Sequence, residues 1–312
     1  MLETPDTMNE SPDYILFAQH GWADTNEGIS QLAVALASPK AEVICPNLGW
    51  LKTWLRIKDL IEIVEQNNQE ILLKYPDTPW RIIGHSMGGL IWLEVLNQHP
   101  EWWSKVESLV LIASPVGGSD LARMIDPLQI GLGIAKDLGK NRRWMAEKIA
   151  KVIPTLSIAG NINYGSDGTI PVESTKFSWG HCICLDRLSH VQLKNDPQLV
   201  EVIQSFWQKS PTPVELQENF TTKLINRLHL IPGMTDAHQR DFEKAKIYML
   251  FENRVSIRLW QTPMNVLYLF LANHREECLY SGLVGWVHAE ELKKALEEIH
   301  QDYYEFVIHG LE

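Results

Sequence analysis

Residues 84 to 89 read Gly-His-Ser-Met-Gly-Gly, between a strand-like run (Trp80 to Ile83) and a helix-like run (Leu90 to Leu96). A strand that turns abruptly into a helix puts its central residue at the tip of a strained bend, and Ser86 then projects its hydroxyl above a sheet. Glycine two positions to either side, Gly84 and Gly88, relieves crowding that any Cβ would meet. The free N–H groups of the helix start, with Met87 first, face a negative charge developing beside the serine. The chemistry of this setting is nucleophilic attack by a hydroxyl. Ordinary glycine and serine frequencies produce the pattern by chance in roughly one chain of this size in ten, so the strand-before, helix-after context carries the reading.

An activated serine needs a base, a group that orients the base, and donors for the oxyanion. Asp167 lies in a glycine-bracketed loop, Gly165-Ser166-Asp167-Gly168, after the strand-like run Thr155 to Ala159. It is the choice for the orienting acid; the alternative is a turn aspartate that bonds only its own backbone. His190 follows the run Cys182 to Leu185 and precedes the last helix of the alternating region, which makes it the choice for the base. Its rival, His181, opens that strand and points from the opposite edge. The oxyanion donors are then the Met87 N–H and the Trp22 N–H in His20-Gly21-Trp22, with His20 fixing the loop.

These residues require a scaffold that delivers them to one edge. Apolar runs and amphipathic segments alternate from Tyr14 to about Lys209. Tyr14 to Ala18, Glu42 to Cys45, Arg81 to Ile83, Glu107 to Ala113, Thr155 to Ala159 and Cys182 to Leu185 read as strands. Glu27 to Leu36, Leu55 to Leu73 and Pro197 to Trp207 read as helices. Such alternation predicts a mostly parallel sheet covered on both faces, with ligands beyond the carboxyl ends of its strands. Every residue chosen above falls just after a strand.

Two segments break the alternation. Residues 116 to 153 carry amphipathic stretches (Leu121 to Ile134, Trp144 to Val152) and are expected to form a helical cap over the active edge. Leu121 and Met124 would give an apolar roof, and Trp50 and Trp54 an apolar wall, for a substrate; packing of cap onto body explains the same residues. After Ser210-Pro211-Thr212-Pro213, a linker composition, residues 212 to 312 read as a smaller α+β domain. The expected order is helix (Glu218 to Leu228), helix (Thr235 to Phe251), three strands (Ser256 to Trp260, Val266 to Ala272, Cys278 to Trp286), helix (Ala289 to Asp302) and a strand (Tyr304 to Ile308). The division is thus 1–211 and 212–312.

Composition excludes several classes. A net charge of −11 disfavours nucleic acid or an anionic membrane surface as the main partner. No apolar run reaches the length of a membrane span. Met1 to Asp13 is polar and acidic, without the basic and apolar regions of a secretory signal. The four cysteines, Cys45, Cys182, Cys184 and Cys278, fit small thiols in a reducing, cytoplasmic setting, the first three in buried strands. His181-Cys182-Ile183-Cys184 has no second ligand pair at a structural-zinc spacing, so no metal is expected.

Taken together, His20-Gly21-Trp22, Gly84-His85-Ser86-Met87-Gly88-Gly89, Asp167 and His190 resemble the α/β-hydrolase superfamily in its esterase and lipase branches. The resemblance covers about Pro12 to Lys209, and the chain order Ser, Asp, His is that family's order. Serine at 86 departs from the branches with an aspartate nucleophile. The resemblance implies an α/β-hydrolase fold and acyl transfer from a small-molecule ester, with no cofactor. Ser86 would attack, His190 would take its proton, and Asp167 would hold the imidazole. The same apparatus serves a thioesterase, an amidase or an acyltransferase. A non-catalytic binding module working through the tail, or a protein partner for the tail, is the reading from a different class.

Overall fold

A computed structural model of the chain describes residues 11–54, 56–118, 134–209, 212 and 219–310. Six strands form the first sheet: β1 (Ile15–Gln19), β2 (Glu42–Ile44), β3 (Trp80–His85), β4 (Val106–Ile112), β5 (Thr155–Asn161) and β6 (His181–Asp186). Their spatial order is β2-β1-β3-β4-β5-β6 and every pairing is parallel. Period-two alternation within continuously apolar strands serves both faces at once. Ile15, Phe17, Leu109 and Leu111 enter one core, and Leu16, Ala18, Val110 and Ile112 enter the other.

The first core is closed by helices α2 (Ile57–Lys74), α3 (Met87–Gln98), α4 (Ile134–Leu138) and α5 (Arg143–Ala150). Phe17 anchors it, with ring centroids 5.1 Å from both Trp80 and Trp92. The second core is closed by α1 (Glu27–Leu36) and α6 (Pro197–Gln208). Helix α6 starts as its sequence dictates, with Pro197 in the first turn and the Asp196 carboxylate accepting from the Gln198 N–H. This is an α/β-hydrolase fold.

The segment expected to cap the active edge divides. Residues 119–133, with Leu121 and Met124, lie outside the described residues. Helix α5, by contrast, buries Met145, Ala146, Ile149 and Ala150 in the first core. It flanks the sheet as the crossover between β4 and β5.

Beyond the linker stands a second sheet, antiparallel, in the order β12-β8-β9-β10-β11-β7. Its strands are β7 (Thr235–Asp236), β8 (Lys246–Phe251), β9 (Ser256–Gln261), β10 (Leu267–Ala272), β11 (Cys278–Val284) and β12 (Val307–Gly310). Helices α7 (Phe220–His229) and α8 (Ala289–Asp302) cover one face, placing Leu224, Leu228, Leu292, Leu296 and Ile299 over Met249, Phe251, Leu269 and Leu271. Strand β10 is buried on both faces from Leu269 to Ala272, because Phe270, fully buried, points away from that core towards Phe242.

Three expectations are corrected. Thr235 to Phe251 is no helix: it is β7, a 3₁₀ turn at Phe242–Lys244 and β8. Ile247, Met249 and Phe251 repeat at period two, and Met249 pairs with Ile257 across the sheet. The terminal strand starts at Val307, after a 3₁₀ turn over Tyr304–Phe306. Cys182 and Cys184 are exposed and Cys45 is half-buried, since β6 is an edge strand and Cys45 lies just past β2.

The two domains meet through a buried ion pair. Arg143 on α5 and Asp236 on β7, with side chains 8% and 1% exposed, approach to 2.5 Å. Burial alone would raise the Asp236 pKa, but the Arg143 guanidinium, with His229 assisting, overcomes it and holds the carboxyl below its ordinary value. A depressed carboxyl pKa contributes stability that is complete above the ordinary value and is lost as pH falls through the folded one. Asp236→Asn, leaving Arg143 buried and unpaired, is expected to cost about 3–5 kcal/mol near neutral pH in urea unfolding. The gap to wild type should narrow only below the ordinary carboxylate range; a gap constant across the acid titration would count against this pair.

Candidate active site

The bend after β3 is as tight as its glycines imply. Ser86 sits at φ 55° and ψ −125°, a left-handed conformation that costs a non-glycine residue of order 1–3 kcal/mol. A Cβ on Gly84 would lie 2.4 Å from the Gly89 Cα, and one on Gly88 would lie 2.3 Å from the Gln19 carbonyl oxygen. Helix α3 is therefore pressed directly against β1 and β3. The Ser86 N–H is anchored on the Ile112 carbonyl at 2.8 Å, tying the bend to β4.

The structure brings Ser86, His190 and Asp167 into one hydrogen-bonded row. The Ser86 Oγ lies 3.1 Å from His190 Nε2, and His190 Nδ1 lies 2.8 Å from Asp167 Oδ2. Beside a carboxylate, Nδ1 is the donor, which leaves Nε2 to accept from the serine hydroxyl. Asp167, almost wholly buried, is held from its other side as well. Its Oδ1 accepts from the N–H groups of Thr169 and Ile170, at 2.9 and 2.6 Å. The His190 N–H donates to the Asp167 carbonyl at 3.0 Å, so base and acid are joined through backbone and side chain. His181, the rival base, is elsewhere, with Nε2 3.0 Å from the Thr212 carbonyl.

Two further histidines shape the site without facing Ser86. His20 is fully buried and its pKa is lowered, chiefly by burial. Its neutral ring donates from Nδ1 to the Gly21 carbonyl at 3.0 Å and accepts at Nε2 from the Leu48 N–H at 3.0 Å. That fixes the loop bearing Trp22. An ion pair, Lys194 Nζ to Asp24 Oδ1 at 2.9 Å, ties the loop to the turn after His190. A Cβ on Gly21 would lie 3.2 Å from the Met87 nitrogen, so this loop passes directly over the start of α3.

His85 was not singled out from the sequence. Burial, reinforced by the neighbouring His190, drives its pKa well below the ordinary value. The neutral ring lies 4.8 Å from that of His190 and donates from Nε2 to the His190 carbonyl at 3.1 Å. Its place beside the serine in sequence was the available signal.

A cavity of about 180 Å³ opens over Ser86 and His190, lined also by Trp22, Ala23, Pro115, Leu138, Thr169 and Ile170. Trp54 reaches it only through Trp22, with ring centroids 4.5 Å apart. Trp50 stands one ring further out, 5.6 Å from Trp54, and donates from Nε1 to the Ala23 carbonyl at 3.0 Å. The two are 47% and 38% exposed, for Trp50 and Trp54 respectively. A larger cleft of about 1140 Å³, between β6 and α7, includes neither Ser86 nor His190. No group of His, Cys, Asp and Glu among the described residues has a metal-binding arrangement, and no described helix is long and apolar enough to cross a membrane.

Comparison with known proteins gives one family. The family described as serine aminopeptidase, S33 (Hydrolase_4) matches residues 10–204, well over half of the chain. Bacillus licheniformis lipase BlEst2 in its propeptide form is similar in structure, with a TM-score of 0.53 at 12% identity. That match covers 91% of this chain and 69% of the other, so both domains share in the likeness of fold. The mature form of the same lipase gives a TM-score of 0.47 at 15% identity, over 66% of this chain and 95% of that one. A Listeria innocua protein, the product of gene lin2722, gives 0.47 at 16% identity, over 64% and 96%. No curated protein is a significant match to the sequence.

The close approach at the bend makes a direct prediction. Gly88→Ala drives a methyl group into the Gln19 and His20 carbonyls, at 2.3 and 2.7 Å, where backbone cannot yield cheaply. We expect destabilisation of at least about 1–3 kcal/mol, measured by urea unfolding. A variant as stable as wild type would mean that α3 is not pressed onto β1.

Proposed function

The chain belongs to the serine aminopeptidase S33 family of hydrolases, and from that premise we propose that it is a serine hydrolase of carboxylic esters. The observation that supports this reading most is the row of short contacts from Ser86 Oγ through His190 to Asp167, with the serine in a strained bend at a helix start. In the proposed reaction His190 Nε2 takes the proton of Ser86 as Oγ attacks the ester carbonyl carbon. Asp167 holds the imidazole tautomer and stabilises the imidazolium. The oxyanion is received by the N–H groups of Met87 and Trp22. Proton return from His190 releases the alcohol, and water, activated by the same ring, then releases the acid from the acyl-enzyme. This chemistry calls for no cofactor.

An apolar acyl group fits the lining by Trp22, Pro115, Leu138 and Ile170. We assign the outer wall to Trp54 and Trp50, which reach the cavity through Trp22. The proposed partner is therefore a small lipophilic ester rather than nucleic acid, in keeping with the acidic net charge.

The test is a series of aryl esters of increasing acyl length, with fluorophosphonate labelling of the folded protein. Wild type should turn over and be labelled at Ser86. Ser86→Ala and His190→Ala should each lose about 10⁴-fold or more in kcat, and Asp167→Asn a comparable factor. Equal turnover by wild type and Ser86→Ala would overturn the assignment. Product analysis with an added alcohol separates hydrolysis from acyl transfer, and matched amides and thioesters separate the remaining alternatives.

A further inference from the structure

The loop that carries Asp167 is not held by the hydrolase domain alone. It leaves β5 at Asn161, turns through Asp167 and returns in a 3₁₀ turn at Val172–Thr175. At its near end, the Tyr164 carbonyl accepts from the Gln239 N–H at 3.0 Å. The Gln239 side chain lies so close that a Cβ on Gly165 would meet it at 3.0 Å. At its far end, the Arg143 guanidinium donates to the carbonyls of Glu173 and Lys176, at 2.7 and 2.9 Å, and is itself held by the Asp236 carboxylate.

The near grip, and the carboxylate that holds the Arg143 of the far one, come from one short strap of the C-terminal domain, residues 236 to 239, and that strap is tied to β11. Asp236 lies in β7, paired with Gly282 of β11, and the Ala237 N–H donates to the Ser281 carbonyl at 2.9 Å. The ion pair is also built into the neighbouring loop. A Cβ on Gly117, just after β4, would lie 1.9 Å from Asp236 Oδ2, and the Gly117 N–H donates to the Ser174 carbonyl at 2.9 Å. An Arg–carboxylate pair is directional, because the planar guanidinium fixes its donors in a fork. It places the Glu173 and Lys176 carbonyls, not merely the two charges.

We propose that the C-terminal domain is a positioning element for the proposed reaction: Asp236, through Arg143, and Gln239 clamp the two ends of the loop that presents Asp167 to His190. The inference rests on the Ser86–His190–Asp167 reading. Asp236 and Gln239 touch no reacting atom; they act through Asp167. The domain of residues 212–312 thereby has a role in turnover without contributing a group to the cavity over Ser86.

The experiment uses the full chain, with kcat counted per site labelled by fluorophosphonate. In Arg143→Met/Asp236→Leu both charges go together, which buried pairs commonly tolerate, and the fork on the loop carbonyls is lost. Loss of register at a catalytic group is expected to lower kcat about ten- to hundredfold, with KM unchanged. In an Asp167→Asn background the same double change should have no further effect on kcat, because the clamp acts only through that carboxylate. If the double variant does not fold, Arg143→Lys, which keeps the charge opposite Asp236 but removes the fork on the loop carbonyls, is read in the same way, against the same background. An unchanged kcat per site, or an equal loss with and without Asp167, overturns the proposal and leaves a merely structural interface. An active Ser86→Ala would instead overturn the reading on which it rests, so the two failures are distinguishable.

Discussion

The site depends on how closely two pieces of backbone can be forced together after β3. Helix α3 begins where there is no room for a side chain: Gly84 meets Gly89, and Gly88 meets the carbonyls of Gln19 and His20. Ser86 is held in a left-handed conformation that it would not adopt unconstrained. The strain is sustained because the Ser86 N–H is tied to β4, while α3 buries Leu90, Ile91, Leu93 and Leu96 in the sheet's core. Parallel pairing carries the consequence outward. Strands β1, β3, β4, β5 and β6 end on one edge, so the loops bearing Trp22, Ser86, Asp167 and His190 converge without long insertions.

Three buried or half-buried histidines show how environment divides labour among identical side chains. His20 and His85 are driven neutral by burial, and each spends its N–H on a carbonyl of the site's own backbone. A ring kept neutral can hold a loop without adding positive charge beside His190, which becomes cationic in the proposed reaction. Only His190 has a carboxylate at one nitrogen and a hydroxyl at the other. The same ring is thus a bracket in two places and, in the proposed reaction, a proton acceptor in the third.

Much of this was legible in the sequence because it is local or periodic. The elbow is six contiguous residues, and the strands of the parallel sheet announce themselves as apolar runs such as Leu109 to Ile112. Strand order placed Asp167 and His190 on the edge of the elbow, where the structure brings both beside Ser86. What was illegible depends on partners far away in the chain. Lys246 to Phe251 is a strand because β9 and β12 pair with it, a context absent from a local pattern. Cys182 and Cys184 look like core thiols until β6 proves to be the sheet's edge. Trp144 to Val152 has the amphipathic pattern of a cap, and only the packing of Met145 and Ile149 shows which surface the apolar stripe covers. Arg143 and Asp236 stand 93 residues apart, and neither has a neighbour in sequence that betrays the other.

That last pair bears on what a buried charge does, as an apolar contact would not, where the two domains meet. Desolvating two ions is costly, and an apolar contact of equal volume is often as stable or more so. An apolar contact, however, tolerates sliding. A guanidinium fork does not, because its donors have assigned acceptors: Nη2 serves the Asp236 carboxylate and the Glu173 carbonyl, and Nε serves the Lys176 carbonyl. The loop between those carbonyls and Tyr164 holds an aspartate whose two oxygens must be aimed in different directions at once, one at backbone N–H groups and one at a ring. Where small displacements matter, a contact that specifies register is worth more to function than one that adds stability alone.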